Sequence, residues 1–303
     1  MWGIGISDSL FALLREARIA TRRIFRRSGG ERALRAAFRE CYKKEFDYEN
    51  PRTFSDKLFH RMISMHRADV SFITALADKY LVRNYVRTRV GEGHLIKLLW
   101  QGTKAEDIPF DTLPDKYMIK TNHQSGGGVL VDGGVDRQAV IGHFRKALKE
   151  NYYWQARENQ YYSIIPRIII EEFIDDGCAF GPLDYRVWCF HGIPEIIQFD
   201  NHIHSIDPSY DKEWNKLEFT HRSRKFDDCD IARPANLAEM LSVAAKLSEG
   251  IDFVRVDLYN ARGRIYFGEL TFTPRAGILR FKPEAWDEIL GEKWRLNGRL
   301  CGG

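Results

Sequence analysis

The stretch FVRVDLYNARGRIYFGEL, residues 253–270, constrains this chain more than any other. Two β-branched and aromatic runs, 253–259 and 264–270, flank a short turn containing Gly263, which specifies a β-hairpin. Two acids, Asp257 and Glu269, interrupt these otherwise apolar strands. A three-residue loop of Ala261, Arg262 and Gly263, with Gly263 left-handed, pairs Asn260 with Arg264. That register sets Asp257 opposite Phe267 and Arg255 opposite Glu269. Asp257, Glu269 and Thr271 then share one face, with the two carboxylates diagonal neighbours roughly 7 to 8 Å apart at most. A four-residue loop would send them to opposite faces. Buried acids need a cation. Two partners are open: Arg255 on the same face, or Mg²⁺, which takes one or two carboxylates and completes its shell with substrate phosphates.

The rest of the chain supplies context for that hairpin. KYMIKTN (116–122), HQSGG and GVLVD (128–132) read as strand, glycine-rich loop and strand. PRIIIEEFI (166–174) is a strand, and YRVWCFHGIPEIIQFD (185–200) is a hairpin turning at His191-Gly192. Helices are expected at 151–158, at 236–249, at 31–44 and from Phe54, capped by Thr53 or Ser55. Strands held mostly in hairpins, with interspersed helices, predict an α+β architecture with antiparallel sheets.

Composition excludes several classes. Hydrophobic residues at 44% can build a core, and no apolar run reaches the roughly 18 to 20 residues of a spanning helix. Five cysteines with no C-x-x-C pair argue against a disulfide framework or structural zinc and for a reducing, cytoplasmic setting. The first residues lack the charge order of a secretory signal, so the N-terminus is read as mature. Residues 1–44 hold 11 of the 46 Lys/Arg and 4 of the 42 Asp/Glu, a net of +7, leaving −3 on the remainder. The excess is confined to the N-terminal arm, which argues against a nucleic-acid partner for the body. From Ser9 to about Arg27 the apolar spacing predicts a basic amphipathic helix. It either packs on the core or lies on an anionic membrane face with Trp2, Leu10 and Phe11 inserted.

No P-loop and no G-x-G-x-x-G is present. The strand lysine Lys120, followed by a loop with Ser125, Gly126, Gly127 and Gly128, offers another phosphate cradle. Taken alone, a glycine run between strands is equally a plain turn. His123 beside it reads as a surface residue or as a phosphate or acceptor contact, and His202 with His204 reads as one strand face.

Taken in order, ADKYLVRNYV, LPDKYMIKTNHQSGG, DYRVWCFHGIPEIIQFD and FVRVDLYNARGRIYFGELTFTPRAG resemble the ATP-grasp superfamily, and within it the TupA-like subgroup, named for teichuronopeptide biosynthesis. The likeness runs from about Phe54 to Trp286. It implies ATP and Mg²⁺ as cofactors, with Lys120 and the loop Ser125–Gly128 on phosphates and Lys79 as the earlier nucleotide-binding lysine. It further implies Glu171, Glu172, Phe173 and Ile174 along the adenine edge, Asp184 near the ribose and Arg186 at the terminal phosphate. Asp257 and Glu269 would hold the metal, with Thr271 standing where the superfamily's D-x(11)-E-x-N pattern has asparagine. Lys120, Arg186 and Arg275 would carry catalysis, Arg275 gripping a substrate carboxylate or phosphate, with Asn201 and His202 as further contacts.

The fold so implied is an N-terminal helical arm (1–53), a helical substrate-side region (54–115), a small subdomain with the glycine loop (116–175) and a large subdomain with the metal hairpin (176–303). The activity implied is an amide-forming carboxylate–amine ligase acting through an acylphosphate, in polysaccharide biosynthesis. Its partners would be a small-molecule or saccharide carboxylate and an amine. Two alternatives stay open: a phosphotransferase or glycosyltransferase on a saccharide, and a non-catalytic nucleotide-binding module.

Overall fold

The computed structural model describes residues 29–124, 126–176, 182–201, 204–222, 226–227 and 229–296. The expected first helix, Ser125 and His202 therefore lie outside the described residues. Helix α1 spans 29–42 and is followed by α2 (Phe54–Ser64), α3 (Ser71–Ala77) and α4 (Val82–Val90). Strands β1 (Leu98–Gly102), β2 (Lys116–Thr121) and β3 (Val129–Asp132) precede α5 (Arg137–Ala147) and α6 (Tyr153–Ala156). Then come β4 (Ile168–Glu172), β5 (Asp184–Phe190), β6 (Ile193–Asp200), β7 (Ser209–Asp211) and β8 (Lys216–Leu217). The chain continues through α7 (Leu237–Ser248), β9 (Phe253–Ala261), β10 (Arg264–Thr271) and α8 (Ala285–Lys293).

The strands form two antiparallel sheets, ordered β1-β4-β2-β3 and β10-β9-β5-β6-β7-β8. This is the expected α+β architecture. The small sheet takes its edge strand β1 from the stretch 54–115, so that stretch is more than a helical region. Residues 29–53 pack onto the body, with Leu34, Phe38 and Phe46 buried against Phe59, Met62 and Ile63 of α2. The stretch 151–158 yields only the short α6, followed by a 3₁₀ turn at Asn159–Tyr161.

Alternation along the strands divides the large sheet. On β9, Val254, Val256 and Leu258 bury against Met240, Val243 and Leu247 of α7. Phe253 points the other way, into a cluster with Phe54, Trp188, Phe281 and Trp294. Further along the same face stand Arg255, Asp257 and Tyr259, which line a cleft. Half of one sheet face is thus aromatic core and the other half is charged. Thr53 caps α2 through a reciprocal capping box with Asp56. Arg61 of α2 bonds Phe253 O at 2.8 Å and Phe272 O at 3.0 Å and pairs with Asp252, itself held by Trp294 Nε1 at 2.9 Å. This buried clamp ties the start of β9 to the end of β10 and so fixes the hairpin between them.

That hairpin differs from the sequence expectation in its turn. Ala261 pairs with Arg264, so the loop is two residues, Arg262 (φ 52°) and Gly263 (φ 76°), both left-handed as a type I′ turn requires. Left undisturbed, this register would set Asp257 opposite Gly268 and send Glu269 to the other face. A β-bulge between Phe267 and Glu269 restores the face and pairs Asp257 directly with Glu269, not with Phe267. Likewise Arg255 pairs with Thr271, not with Glu269. A Cβ on Gly268 would sit 3.0 Å from the Asp257 carbonyl oxygen and 3.2 Å from Tyr259 Cε2, which favours glycine at the bulge.

Candidate active site

The charged half of the large sheet faces the small sheet across a cleft of about 880 Å³. Of the residues picked from sequence, Lys79, Lys120, Gly126, Gly128, Asp184, Arg186, Asp257, Glu269, Thr271 and Arg275 all line it. They come from five separate stretches of chain, which makes their convergence informative. Gly127 does not line it. Glu172, Phe173 and Ile174 line a separate recess of about 230 Å³ with Ile96, Lys97, Ala261 and Arg262. Glu171 turns inward and bridges Lys120 (2.7 Å) and Arg83 (2.8 Å), so its side chain positions the lysine. Asn201 bonds Ser205 and is not among the lining residues.

Asp257 is buried and held in a two-point fork by Arg255, Nε to Oδ1 at 2.7 Å and Nη2 to Oδ2 at 2.6 Å. Burial pushes its carboxyl above the usual carboxylate range, against the pull of Arg255. Arg255 therefore does compensate the acid, as one of the two sequence readings held. Across the bulge, Glu269 accepts from the Thr271 hydroxyl at 3.0 Å and pairs with Lys79 at 3.2 Å. Burial would raise Glu269, but Lys79 and Arg255 outweigh it and bring it down to about 2. Lys79 also donates to the Gln124 carbonyl at 2.9 Å, joining the glycine loop to the hairpin.

The adjoining part of the cleft, where Arg186 of β5 pairs across from Asp257 of β9, is rich in cations. Asp200 Oδ2 is shared by Arg186 (2.6 Å), Arg222 (2.6 Å) and His204 (2.7 Å). Burial works against its ionisation, yet Arg222 and Arg186 keep its carboxyl below its ordinary range. Arg186 also reaches Asp184 at 3.1 Å, and burial lifts Asp184 to about 6. His221 lines the cleft with neither ring nitrogen hydrogen-bonded, and burial, with Arg255 and Arg222 nearby, holds it neutral. Arg275 (φ 51°) and Ala276 (φ 50°) are both left-handed, an uncommon backbone state that marks the TFTPRAG turn at the cleft rim. His123 matches neither sequence reading: it is 2% exposed and bonded to Asn122 and the Glu150 carbonyl inside the small subdomain.

Sequence reasoning missed Glu158, Tyr152, Tyr161, His221, Arg222 and Asp200 as lining residues. Asp200, which closes the apolar run of β6, carries the same signal of an acid on an apolar strand that exposed Asp257.

The donor set fits a hard cation. Asp257 and Glu269 face each other with the Thr271 hydroxyl alongside, all three are oxygen ligands, and each carboxylate retains lone pairs beyond its protein contacts. Among the described residues no group of three or more His, Cys, Asp or Glu is arranged to hold a metal unaided. Such a pair suits an ion that shares its shell with phosphates.

Two antiparallel sheets bordering one cleft, with a glycine loop and a strand lysine on one side and paired acids on the other, are the architecture of the ATP-grasp fold class. Within that class, the family model described as TupA-like ATPgrasp matches residues 56–295, and the chain belongs to this family. Solved structures match at low identity. D-alanine–D-alanine ligase from Bacillus anthracis complexed with ATP is 18% identical, with 66% of this chain and 54% of that one covered and a TM-score of 0.42. A RimK domain ATP-grasp protein from Sphaerobacter thermophilus is 10% identical, with 77% and 70% covered and a TM-score of 0.43. The chain thus spans about half the length of the first of these. No match is found among curated proteins.

Proposed function

We propose that the chain is an ATP- and Mg²⁺-dependent ligase that joins a carboxylate to an amine through an acylphosphate, in surface-polysaccharide assembly or modification. The observation that carries this reading is the pairing of Asp257 with Glu269 on a cleft face opposite Lys120 and the glycine loop. The saccharide setting rests on the family resemblance alone.

In this reading Lys79, Lys120 and the amides of the glycine loop bind the triphosphate, and Phe173 and Ile174 in the neighbouring recess take the adenine edge. Asp257, Glu269 and Thr271 would hold Mg²⁺, which when bound screens phosphate charge and orients the phosphoryl group to be transferred. Arg186, fixed by Asp184 and Asp200, neutralises charge on that group as it passes to the substrate carboxylate. Arg275 grips the acid. The loop on β2 shuts out water that would hydrolyse the acylphosphate before the amine arrives. No side-chain nucleophile is needed.

Hydroxylamine tests this directly, because it intercepts acylphosphates as hydroxamates. With ATP, Mg²⁺ and a panel of uronic acids, at least one acid should yield a hydroxamate together with ADP and phosphate. A phosphorylated sugar without hydroxamate would instead assign a phosphotransferase, and nucleotide binding without turnover a non-catalytic module. Among the described residues no helix is long and apolar enough to cross a membrane. Peripheral contact of residues 1–27 with an anionic bilayer belongs to the same proposal. Deleting that segment should abolish sedimentation with phosphatidylserine vesicles, and unchanged sedimentation would refute the contact.

A further inference from the structure

The carboxylates lining the cleft differ in one respect. Asp257 pairs with Arg255, Glu269 with Lys79, Asp184 with Arg186, and Asp200 with Arg186 and Arg222. Glu158 also lines the cleft and is 5% exposed, but among the described residues it has no ion-pair partner. The adjacent cation is turned away: the Arg157 guanidinium lies over the rings of Trp154 and Tyr153, 4.9 and 5.4 Å from their centroids. Arg157 itself is left-handed (φ 58°), at the point where α6 ends and the chain brings Glu158 inward.

The hydrogen bonds at Glu158 also fix its role. Gln160 Nε2 donates to the Thr273 hydroxyl at 2.6 Å, which leaves that hydroxyl to donate its own proton to Glu158 Oε1. Oε1 is thereby set as an acceptor, which leaves any proton on Oε2, and Oε2 has no hydrogen bond among the described residues. Two more cleft residues, Tyr152 and Tyr161, stand edge to face with ring centroids 5.2 Å apart. A buried carboxylate without a cation is costly, and aromatic faces beside it attract positive charge. The missing cation is therefore expected to arrive with a ligand.

We infer that Glu158, flanked by Tyr152 and Tyr161, forms the amine end of the cleft and binds a primary ammonium group. This rests on the ligase reading above and names the chemistry of its second substrate. The ammonium would donate to Glu158 Oε2. Thr273 and Gln160 act as positioning residues that hold the carboxylate in place.

Calorimetric titration of the full chain, loaded with Mg²⁺ and the non-hydrolysable analogue AMP-PNP, tests the inference with three ammonium probes: ethylammonium, glucosamine and L-alaninamide. At least one should bind saturably to the wild type and at least tenfold more weakly to Glu158→Gln, whereas N-acetylglucosamine, which lacks the ammonium, should not bind. Affinity for AMP-PNP should stay within twofold, which shows that the variant's cleft is intact. Thr273→Val, which keeps the carboxylate but removes its support, should weaken the same probe severalfold. Equal binding to wild type and Glu158→Gln, or no binding of any probe to the wild type, overturns the inference. Failure of the ligase reading appears separately, as absence of hydroxamate while probe binding persists.

Discussion

The floor of the cleft, built by the β9–β10 hairpin, and its side wall, built by residues 152–161, handle buried carboxylate in opposite ways. On the floor each acid is matched by a cation of the protein: Arg255 forks onto Asp257, and Lys79 reaches Glu269. On the wall Glu158 is supported by a hydroxyl and, among the described residues, left without a cation. Their titration follows. Lys79 and Arg255 overcome burial and bring Glu269 to about 2, whereas burial dominates at Glu158 and lifts it to about 7. At Glu269 the protein's own cations outweigh burial and hold the acid ionised, whereas the unmatched Glu158 marks a place where charge is brought in.

The largest expected effects fall on the floor. Asp257→Asn leaves the Arg255 guanidinium buried without its partner, so it should abolish Mg²⁺-dependent turnover and cost about 3–5 kcal/mol of stability in urea unfolding. Glu269→Gln should lose turnover by roughly a thousandfold, equivalent to about 4 kcal/mol, and, since its lowered carboxyl contributes stability at neutral pH, should also lose stability, but less than Asp257→Asn does. If the two variants lost equal stability, the distinction between a clamped and a half-exposed acid would collapse.

On the wall the sign reverses. Because the folded Glu158 carboxyl titrates near 7 and its ordinary value is 4.5, the native state keeps a proton that the unfolded chain releases first. Its contribution to stability is therefore complete below about pH 4.5 and is lost as pH rises through about 7. Glu158→Gln should flatten that slope and raise stability at pH 8 by up to about 3 kcal/mol, read from melting at pH 5 and pH 8. A variant that is less stable at pH 8 would mean that a protein cation partners Glu158 after all.

Smaller effects sharpen how the floor is assembled. Lys120→Ala should lose roughly a hundredfold in turnover, about 2.7 kcal/mol, through weaker stabilisation of phosphoryl transfer. Wild-type kinetics in that variant would remove the phosphate-cradle reading. Gly268→Ala introduces a Cβ at the bulge and should cost about 1–2 kcal/mol in stability together with roughly tenfold in turnover. An intact rate there would mean that the bulge does not govern how Asp257 meets Glu269.

Much of this was legible in the sequence, since period-two alternation, the His191-Gly192 turn and the turn ending at Gly263 located both hairpins. The register was not. Turn length alone gave the wrong pairing, and the bulge at Gly268 is what keeps the two acids on one face. Lys79, Lys120, Arg186, Asp257 and Glu269 stand in recognisable motifs, whereas Glu158 lies in a tyrosine-rich stretch that reads as a helix. Its position depends on the left-handed residue Arg157, which spacing does not encode. The inward role of Glu171 depends on Arg83, 88 residues away, a contact visible only once β4 is paired in its sheet.

The central claim is that paired acids and a glycine-loop lysine form a cleft that activates a carboxylate for amide formation. Mass spectrometry after incubation with ATP, Mg²⁺ and uronic acids crossed with amines tests it most directly. A product of mass acid plus amine less water is expected, with one ADP and one phosphate per product, and with none formed by Glu269→Gln. A product that retains the phosphate, or an amide formed equally well by Glu269→Gln, would contradict it.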